Sequence, residues 1–183
     1  MNAAYSFDPH VRFAALEDVP ALAELAAETF PLACPPGTDE RDITEFIEQN
    51  LGEYHFAARV TSPHRAVLVH EVDGGLRGYV LMFDASEEPP APDYGVRGEP
   101  SAYLSKCYVR LTSHGGAVAG PLIDAAKQVA RIQWGAVSIW LNTNIENQRA
   151  IRFYLKHGFE QVGVNAMQVG SALMEDKVFE VML

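Results

Sequence analysis

The residues of this sequence that indicate chemistry most directly are the small ones in SHGGAVAG, residues 113–120, between an apolar segment and an amphipathic one. Where a strand runs into a helix, the first helical turn leaves backbone N–H groups unpaired, and the helix dipole makes that end positive. Such an end binds an anion without a charged side chain. Gly115 and Gly116 allow the backbone to approach a diphosphate closely, and Pro121 is tolerated in a first turn. The segment predicts an anion site, although a glycine pair before a helix is also an ordinary turn.

A second pair of residues with chemical potential follows in the segment IWLNTNIENQRAIRFYLKHGFEQVG. Asn147 and Tyr154 are seven residues apart, which is about two helical turns and roughly 10.5 Å along one helix face. An amide and a phenol would then face the same way from a helix that follows a buried strand. The simpler interpretation is that Asn147 caps the helix and Tyr154 is a core aromatic.

Several other site types are disfavoured by what the sequence lacks. The glycine-rich segment has no Lys-Ser/Thr ending, so it does not match a nucleotide phosphate loop, and no early βαβ unit with a ribose-binding acid surrounds it. Cys34 and Cys107 have no metal-ligand spacing, and the six histidines are scattered, so we expect no metal site.

Composition and charge narrow the class of partner. The 183 residues, 48% of them hydrophobic, predict one domain over residues 1–183 with a well-buried core. Twenty-four acidic against fourteen basic residues give a formal charge of −10, which disfavours nucleic acid and suits a cationic small molecule. No apolar run approaches the ~20 residues of a membrane span. The first residues lack the layout of a signal peptide, so we expect no membrane association and a cytoplasmic location.

The first half of the chain predicts a strand, two helices and a hairpin. A strand over 11–16 precedes a helix that Asp18 caps, and Thr38 caps a second helix that ends at Gly52. The segments AVLVHEV and LRGYVLMF, joined by DGG, predict a β-hairpin. The proline-rich and acidic segment 84–100 is predicted to be an exposed loop.

The second half predicts strands that alternate with helices. SAYLSKCYV is a strand, a helix runs from about Ala117 to Trp134, and AVSIWLNT is a mostly apolar, central strand. The segment ENQRAIRFYLKHG predicts a short helix, and FEQVGVNAM and KVFEVML predict two final strands around QVGSALMED. This order indicates an α/β domain with a mixed sheet.

These motifs together resemble the GCN5-related N-acetyltransferases (GNAT), whose pattern is V-x-P-x-x-[QR]-x-x-G-x-[GA] followed by N-x-x-A-x-x-x-Y-x-x-x-G-F. The positions that match are Val109, Ala119, Asn147, Ala150, Tyr154, Gly158 and Phe159. Leu111, His114 and Ala117 replace the proline, the Gln/Arg and the glycine of the pattern. The resemblance covers essentially the whole chain. It implies the GNAT acyl-CoA N-acyltransferase fold, with a mixed, mostly antiparallel sheet of six to seven strands flanked by helices.

The resemblance also implies the cosubstrate and the residues that bind it. It predicts transfer of acetyl from acetyl-CoA to a primary amine by direct attack, with Tyr154 protonating the leaving thiolate and the Val109 N–H polarising the thioester. The residues predicted to bind acetyl-CoA are Tyr108, Val109, His114, Gly115, Gly116, Ala117, Val118, Ala119, Asn147 and Tyr154. Because alanine keeps its N–H, Ala117 is expected to weaken cofactor binding without abolishing it.

The acceptor side is less defined in the sequence. Some relatives have a glutamate base where this chain has Tyr103, so Asp84, Glu87, Glu99 and water remain candidates for the base. Glu28, with Asp39 and Glu40, is expected near a cationic acceptor, although a solvated polar face is the simpler interpretation.

Two further expectations concern the subgroup and the function class. The segments GYVLM and YLSKCYV and the C-terminal tail resemble PaiA-type spermidine/spermine N-acetyltransferases, although Asn165 and Met167 replace a histidine and an aromatic residue of that subgroup. The acceptor is therefore either a polyamine-like small molecule or a peptide amine. The alternative function is a non-catalytic acyl-CoA-binding or regulatory domain, and family analogy suggests a homodimer.

Overall fold

A single seven-stranded sheet organises the computed structural model, which describes residues 5–115, 117–169 and 172–183. The strands are β1 Val11–Phe13, β2 Arg65–Val72, β3 Gly75–Phe83, β4 Ser101–Val109, β5 Ser138–Asn144, β6 Glu160–Val169 and β7 Ala172–Met182. Their order is β1-β2-β3-β4-β5-β7-β6, and the pairing of β4 with β5 is parallel whereas the other neighbouring pairs are antiparallel. The predicted fold class is confirmed.

Five α-helices in the described ranges cover the two faces of this sheet. They are α1 Val19–Thr29, α2 Glu40–Asn50, α3 Glu53–Val60, α4 Ala119–Trp134 and α5 Gln148–Lys156. The apolar stripe of α4 packs on one face with Tyr154, Phe159 and Phe179. Residues of α1 and α3, such as Leu22 and Phe56, pack on the other face around the fully buried Tyr79. The sheet therefore separates two apolar clusters.

Several boundaries in the first half differ from the sequence prediction for local reasons. The first strand ends at Phe13, because the Asp18 carboxylate accepts the Ala15 N–H at 2.8 Å and bends the chain into a 3₁₀ turn. Asp39 caps α2, accepting the Arg41 N–H at 2.8 Å, while the Thr38 hydroxyl donates back to the Pro35 carbonyl at 2.7 Å.

Helix α3 was not predicted, because its eight residues make only about two turns and bury one side chain, Phe56. Gly52 is the N-cap of α3, whereas Leu51 ends α2.

Two differences in the second half concern the segments nearest the site. Helix α4 begins at Ala119, two residues later than predicted, with Val118 as its N-cap. Strands β6 and β7 extend through most of the segment predicted to connect them, with Val169 paired to Ala172. Because this long hairpin is held by backbone pairing, its apolar pattern alone does not reveal its length.

Within the described ranges, the helices are all too short or too polar to cross a bilayer. The same part of the chain holds no cluster of three or more His, Cys, Asp or Glu side chains suited to a metal ion.

Candidate active site

The site begins where two parallel strands part. Strands β4 and β5 pair over Ser101–Tyr103 and Ser138–Trp140, and their pairing ends there. On the opposite edge of β4, the register with β3 shifts at Ser105, so that Leu104 and Cys107 both face the α4 side of the sheet. A β-bulge bends its strand and re-aims side chains. The separated strands enclose a cavity of about 730 Å³.

One edge of this cavity is the exposed backbone of β4. The Arg110 N–H donates to the Arg77 carbonyl of β3 at 2.9 Å, and the register pairs Val109 with Gly78. Because backbone groups alternate along a strand, the N–H and C=O groups of Cys107 and Val109 point away from β3, toward the cavity. The Tyr108 backbone pairs with β3, and Tyr108 also lines the cavity.

A helix N-terminus closes one end of the cavity. Ala119 and Gly120 begin α4, Pro121 lies in its first turn, and all three line the cavity together with Ala117. Gly115 has φ +77°, which glycine adopts at little cost and which turns the chain toward the helix. The N–H groups of this first turn have no intrahelical partners, so the positive end of α4 opens on the cavity.

Two of the residues predicted to bind acetyl-CoA in this segment are not among the described lining of the cavity. Val118 is buried in the α4 cluster, so its side chain packs in the core and does not line the cavity. Gly116 lies outside the described residues.

Cationic side chains of α5 also line this cavity, although no motif in the sequence pointed to them. Arg149 and Lys156 both line the cavity. The Arg149 Nη1 donates to Nδ1 of His114 at 2.8 Å, which leaves the ring proton on Nε2, where it donates to the Val109 carbonyl at 2.8 Å. Their spacing could have indicated them. Arg149 is two residues after Asn147, and Lys156 is seven residues after Arg149, which places the two cations on one face of α5.

The predicted pair on α5 faces the cavity as its spacing indicated. The Asn147 side chain caps α5 by accepting the Ala150 N–H at 3.1 Å, and it also lines the cavity. Tyr154 lines the cavity while its ring packs against Phe159 and Phe179. Burial raises the pKa of Tyr154 well above its usual value, so the phenol carries its proton at neutral pH.

A polar network lies on the sheet face that also carries α1 and α3. The Tyr103 hydroxyl donates to Oδ1 of Asn142 at 2.8 Å, and Nδ2 of Asn142 donates to Oδ2 of Asp176 at 2.6 Å. Asn142 and Asp176 both line the cavity. Asp176 was not predicted as a site residue because it falls in QVGSALMED, which shows no strand alternation. Only the register of β7 with β5 reveals it.

The carboxylates named from the sequence lie outside the cavity lining. Glu28 forms an ion pair with Arg110. Asp84 bonds His64 at 2.7 Å on the turn after β3, and Glu99 is exposed just before β4. These three were predicted near the acceptor, and the structure does not bring them together with Tyr154.

Comparison with known proteins agrees with this geometry. The sequence model of the acetyltransferase (GNAT) family matches residues 19–159. The chain belongs to the GNAT family. This GNAT chain is 36% identical to an uncharacterized N-acetyltransferase of Mycobacterium bovis, over 89% of this chain and 96% of that one. It is 21% identical to an uncharacterized N-acetyltransferase of Lactobacillus delbrueckii subsp. lactis, over 87% and 89% of the two chains.

Solved GNAT structures share the fold. The PaiA N-acetyltransferase from Thermoplasma acidophilum, crystallised with coenzyme A, superposes with a TM-score of 0.74 at 17% identity, covering 98% of this chain and 100% of that one. A putative acetyltransferase from Salmonella typhimurium, crystallised with acetyl-CoA, gives a TM-score of 0.65 at 18% identity, covering 98% and 95%. The predicted enzyme class and cosubstrate are confirmed: the chain is an acetyl-CoA-dependent N-acetyltransferase.

Proposed function

We propose that this enzyme transfers the acetyl group of acetyl-CoA to a primary amine of a small molecule or peptide, by direct attack within the cavity between β4 and β5. The observation that carries the proposal is that three features open on this one cavity. They are the positive end of α4, the exposed backbone edge of β4 and the Tyr154 phenol. Each of these features suits a different part of acetyl-CoA.

The cationic end suits the diphosphate of acetyl-CoA. First-turn N–H groups of α4 offer donors, and Arg149 and Lys156 add two positive charges. Ala117 is exposed at this end, so its methyl group does not fill the core. The amide-rich arm would then lie along β4, where the outward N–H and C=O groups of Cys107 donate and accept as a neighbouring strand would.

The reacting end lies beside Tyr154. Bound acetyl-CoA supplies an activated acetyl thioester. The Val109 N–H would hydrogen bond the thioester oxygen, and the Tyr154 hydroxyl would give its proton to the sulfur as it leaves. A phenol ordinarily has a pKa of about 10 and a thiol about 8.5. Because burial disfavours the phenolate and the thiolate alike, this proton transfer remains feasible.

Negative charge on the acceptor side favours an amine as the acceptor, because amines are cationic at neutral pH. Asp176 presents a carboxylate to the cavity, and the whole chain carries a formal charge of −10. The sequence resemblance to PaiA-type enzymes makes polyamine-like molecules one acceptor class to test, and peptide amines are the other.

The test follows free thiol during incubation of the protein with acetyl-CoA and a panel of spermidine, putrescine, 2-phenylethylamine and a lysine-containing peptide. We expect amine-dependent thiol release with at least one of them. If release equals the no-amine blank for every amine while acetyl-CoA still binds, the chain is a non-catalytic acyl-CoA-binding domain and the proposal is wrong.

A variant tests the role of Tyr154. Tyr154→Phe removes the proton that the sulfur would receive, so kcat should fall roughly 10²–10⁴-fold, the usual contribution of a positioned general acid. The dissociation constant for acetyl-CoA, measured by calorimetry, should change little because the ring keeps its packing. Tyr54→Phe is the matched control, since Tyr54 is 82% exposed. Unchanged kcat in Tyr154→Phe would remove Tyr154 from the chemistry.

A further inference from the structure

Asp176 is the one carboxylate among the described residues that line the cavity. The other acidic side chains of the described ranges lie elsewhere, many of them in ion pairs or caps. There is no Asp or Glu in the sequence of the residues outside the described ranges, and there is none in the hairpin segment 167–174. An acceptor amine that enters this cavity therefore meets a single negative group.

An apolar wall lines part of the cavity that Asp176 also lines. Its strand neighbour in register is Asn144, and Phe179 faces the opposite side toward Tyr154, so Asp176 lies on the face of the sheet that carries α1. The connection after α1 lies against the same cavity and contributes Phe30, Leu32, Ala33, Cys34 and Pro35. The space beside the carboxylate thus suits an apolar group better than a second ammonium.

The hydrogen bonds of Asp176 keep it ready to accept a proton. Oδ1 of Asn142 accepts from Tyr103, so the amide group of Asn142 is directed at Asp176 and can only donate to it. This fixes Asp176 as the acceptor of that bond through Oδ2 and leaves Oδ1 for another donor. Burial raises the pKa of Asp176 above its ordinary value, which makes the carboxylate a stronger base.

We propose that Asp176 binds the ammonium group of the acceptor and takes its first proton, and that the acceptor is a primary amine with one positive charge beside an apolar body. This inference rests on the proposed function. The ammonium nitrogen gives one proton to Asp176, which releases it to water. The neutral amine then forms the C–N bond while the C–S bond breaks, the sulfur takes the Tyr154 proton, and the second nitrogen proton restores Tyr154 through water.

The side chains next to Asp176 on the neighbouring strands are amides and a phenol, which do not titrate in the range where it would act. From β5 and β6 it faces the amides of Asn142, Asn144 and Asn165. From β4 it faces Tyr103, whose pKa burial raises to about 12, so that the phenol remains neutral.

Two further titratable groups lie on the same side of the sheet. Lys106 is further along β4, over the Phe46 ring, and burial lowers its pKa to about 8. Cys34 comes from the connection after α1, and burial raises its pKa, so the thiol remains neutral. Because Lys106 titrates near pH 8 in both proteins, the comparison of Asp176→Asn with wild type at each pH, and not the wild-type profile alone, reports Asp176.

The decisive variant is Asp176→Asn, which keeps an oxygen for the Asn142 bond and removes the base. With 2-phenylethylamine at pH 7.5, kcat/KM should fall roughly 10²–10⁴-fold. The loss should shrink steadily up to pH 10, as water deprotonates the amine, and should nearly vanish with 2,2,2-trifluoroethylamine, which is already neutral at pH 7.5. Acetyl-CoA affinity by calorimetry should match the wild type.

Controls separate this role from a structural one. Glu175→Gln removes an exposed carboxylate on the same strand and should leave the rate unchanged. Asp176→Glu keeps the base and should recover activity that Asp176→Asn lacks. Binding of 2-phenylethylamine to the complex of the enzyme with CoA should weaken in Asp176→Asn only.

Three results would overturn the inference. These are a kcat/KM for Asp176→Asn within threefold of wild type, a loss that does not shrink at high pH, or a higher kcat/KM for spermidine than for 2-phenylethylamine. Wild-type protein that acetylates none of the amines would instead refute the proposed function.

Discussion

The buried carboxylate of Glu180 offers a sharp test of how the loop before β4 is held to the sheet. Its side chain is fully buried on β7, four residues from Asp176 and on the same face. Oε1 accepts the Gly98 N–H at 2.8 Å, and Oε2 accepts the Arg97 Nε at 3.2 Å, while the Arg97 N–H lies 3.1 Å from each oxygen. These bonds fasten the loop before β4 to the sheet.

Glu180→Gln should be costly because an amide cannot replace both oxygens. One oxygen becomes an NH₂ group that faces backbone donors, which leaves a buried donor unsatisfied at a cost of about 1–3 kcal/mol. The remaining bonds lose charge assistance. We expect a loss of about 2–4 kcal/mol in the free energy of unfolding, which for a chain of this size lowers Tm by roughly 5–15 °C.

The assay is thermal unfolding followed by circular dichroism, with Glu160→Gln as the matched control. Glu160 also pairs with Arg97, at 3.3 Å, but it is 74% exposed, so its loss should cost less than about 1 kcal/mol. Equal Tm values for Glu180→Gln and Glu160→Gln would refute the reasoning.

The pH dependence of the Glu180 effect has a definite sign. Burial alone would raise the pKa of Glu180, but the hydrogen bonds from Gly98 and Arg97 outweigh it and lower the pKa. A carboxyl whose folded pKa is lowered stabilises the fold above its unfolded pKa of about 4.3 and loses that contribution as the pH falls through the folded pKa. The Tm difference between wild type and Glu180→Gln should be full at pH 7 and shrink below about pH 4.

Three further changes test the cosubstrate end of the cavity by calorimetry with acetyl-CoA. Arg149→Gln should weaken binding about 10–100-fold through loss of a charge-assisted phosphate contact, whereas Arg152→Gln, exposed on the same helix, should not; equal affinities would exclude Arg149 from the diphosphate site. Gly78→Ala places a Cβ 2.8 Å from the Tyr108 carbonyl and should weaken binding and stability by shifting the end of β4, while Gly75→Ala, with its nearest contact at 3.6 Å, is the control. Ala117→Gly should tighten binding, and weaker binding would show that the methyl group does not hinder the diphosphate.

Much of the fold follows from the sequence because long elements repeat their apolar pattern. Strand β4 has the predicted bounds, and α4 differs from its prediction only at the N-terminal end. Helix α3 was not predicted because about two turns with one buried side chain give too short a pattern. The β6–β7 hairpin was predicted too short because backbone pairing carries it through residues without alternation.

The site could be predicted only where one element carries the chemistry. Asn147 and Tyr154 share a helix, so their spacing places both on the cavity. The bond from Arg149 to His114 joins residues 35 apart in sequence, and the bond from Asn142 to Asp176 joins residues 34 apart. Both depend on strand register and on the separation of β4 from β5, neither of which leaves a local signal.

The central claim is that coenzyme A lies between the separated ends of β4 and β5 with its diphosphate at the N-terminus of α4. A crystal structure of the protein soaked with acetyl-CoA tests it most directly. The account predicts diphosphate density against residues 114–120 and Arg149, with the thioester beside Tyr154. Density for the cosubstrate at any other surface, with this cavity filled only by solvent, would contradict the account.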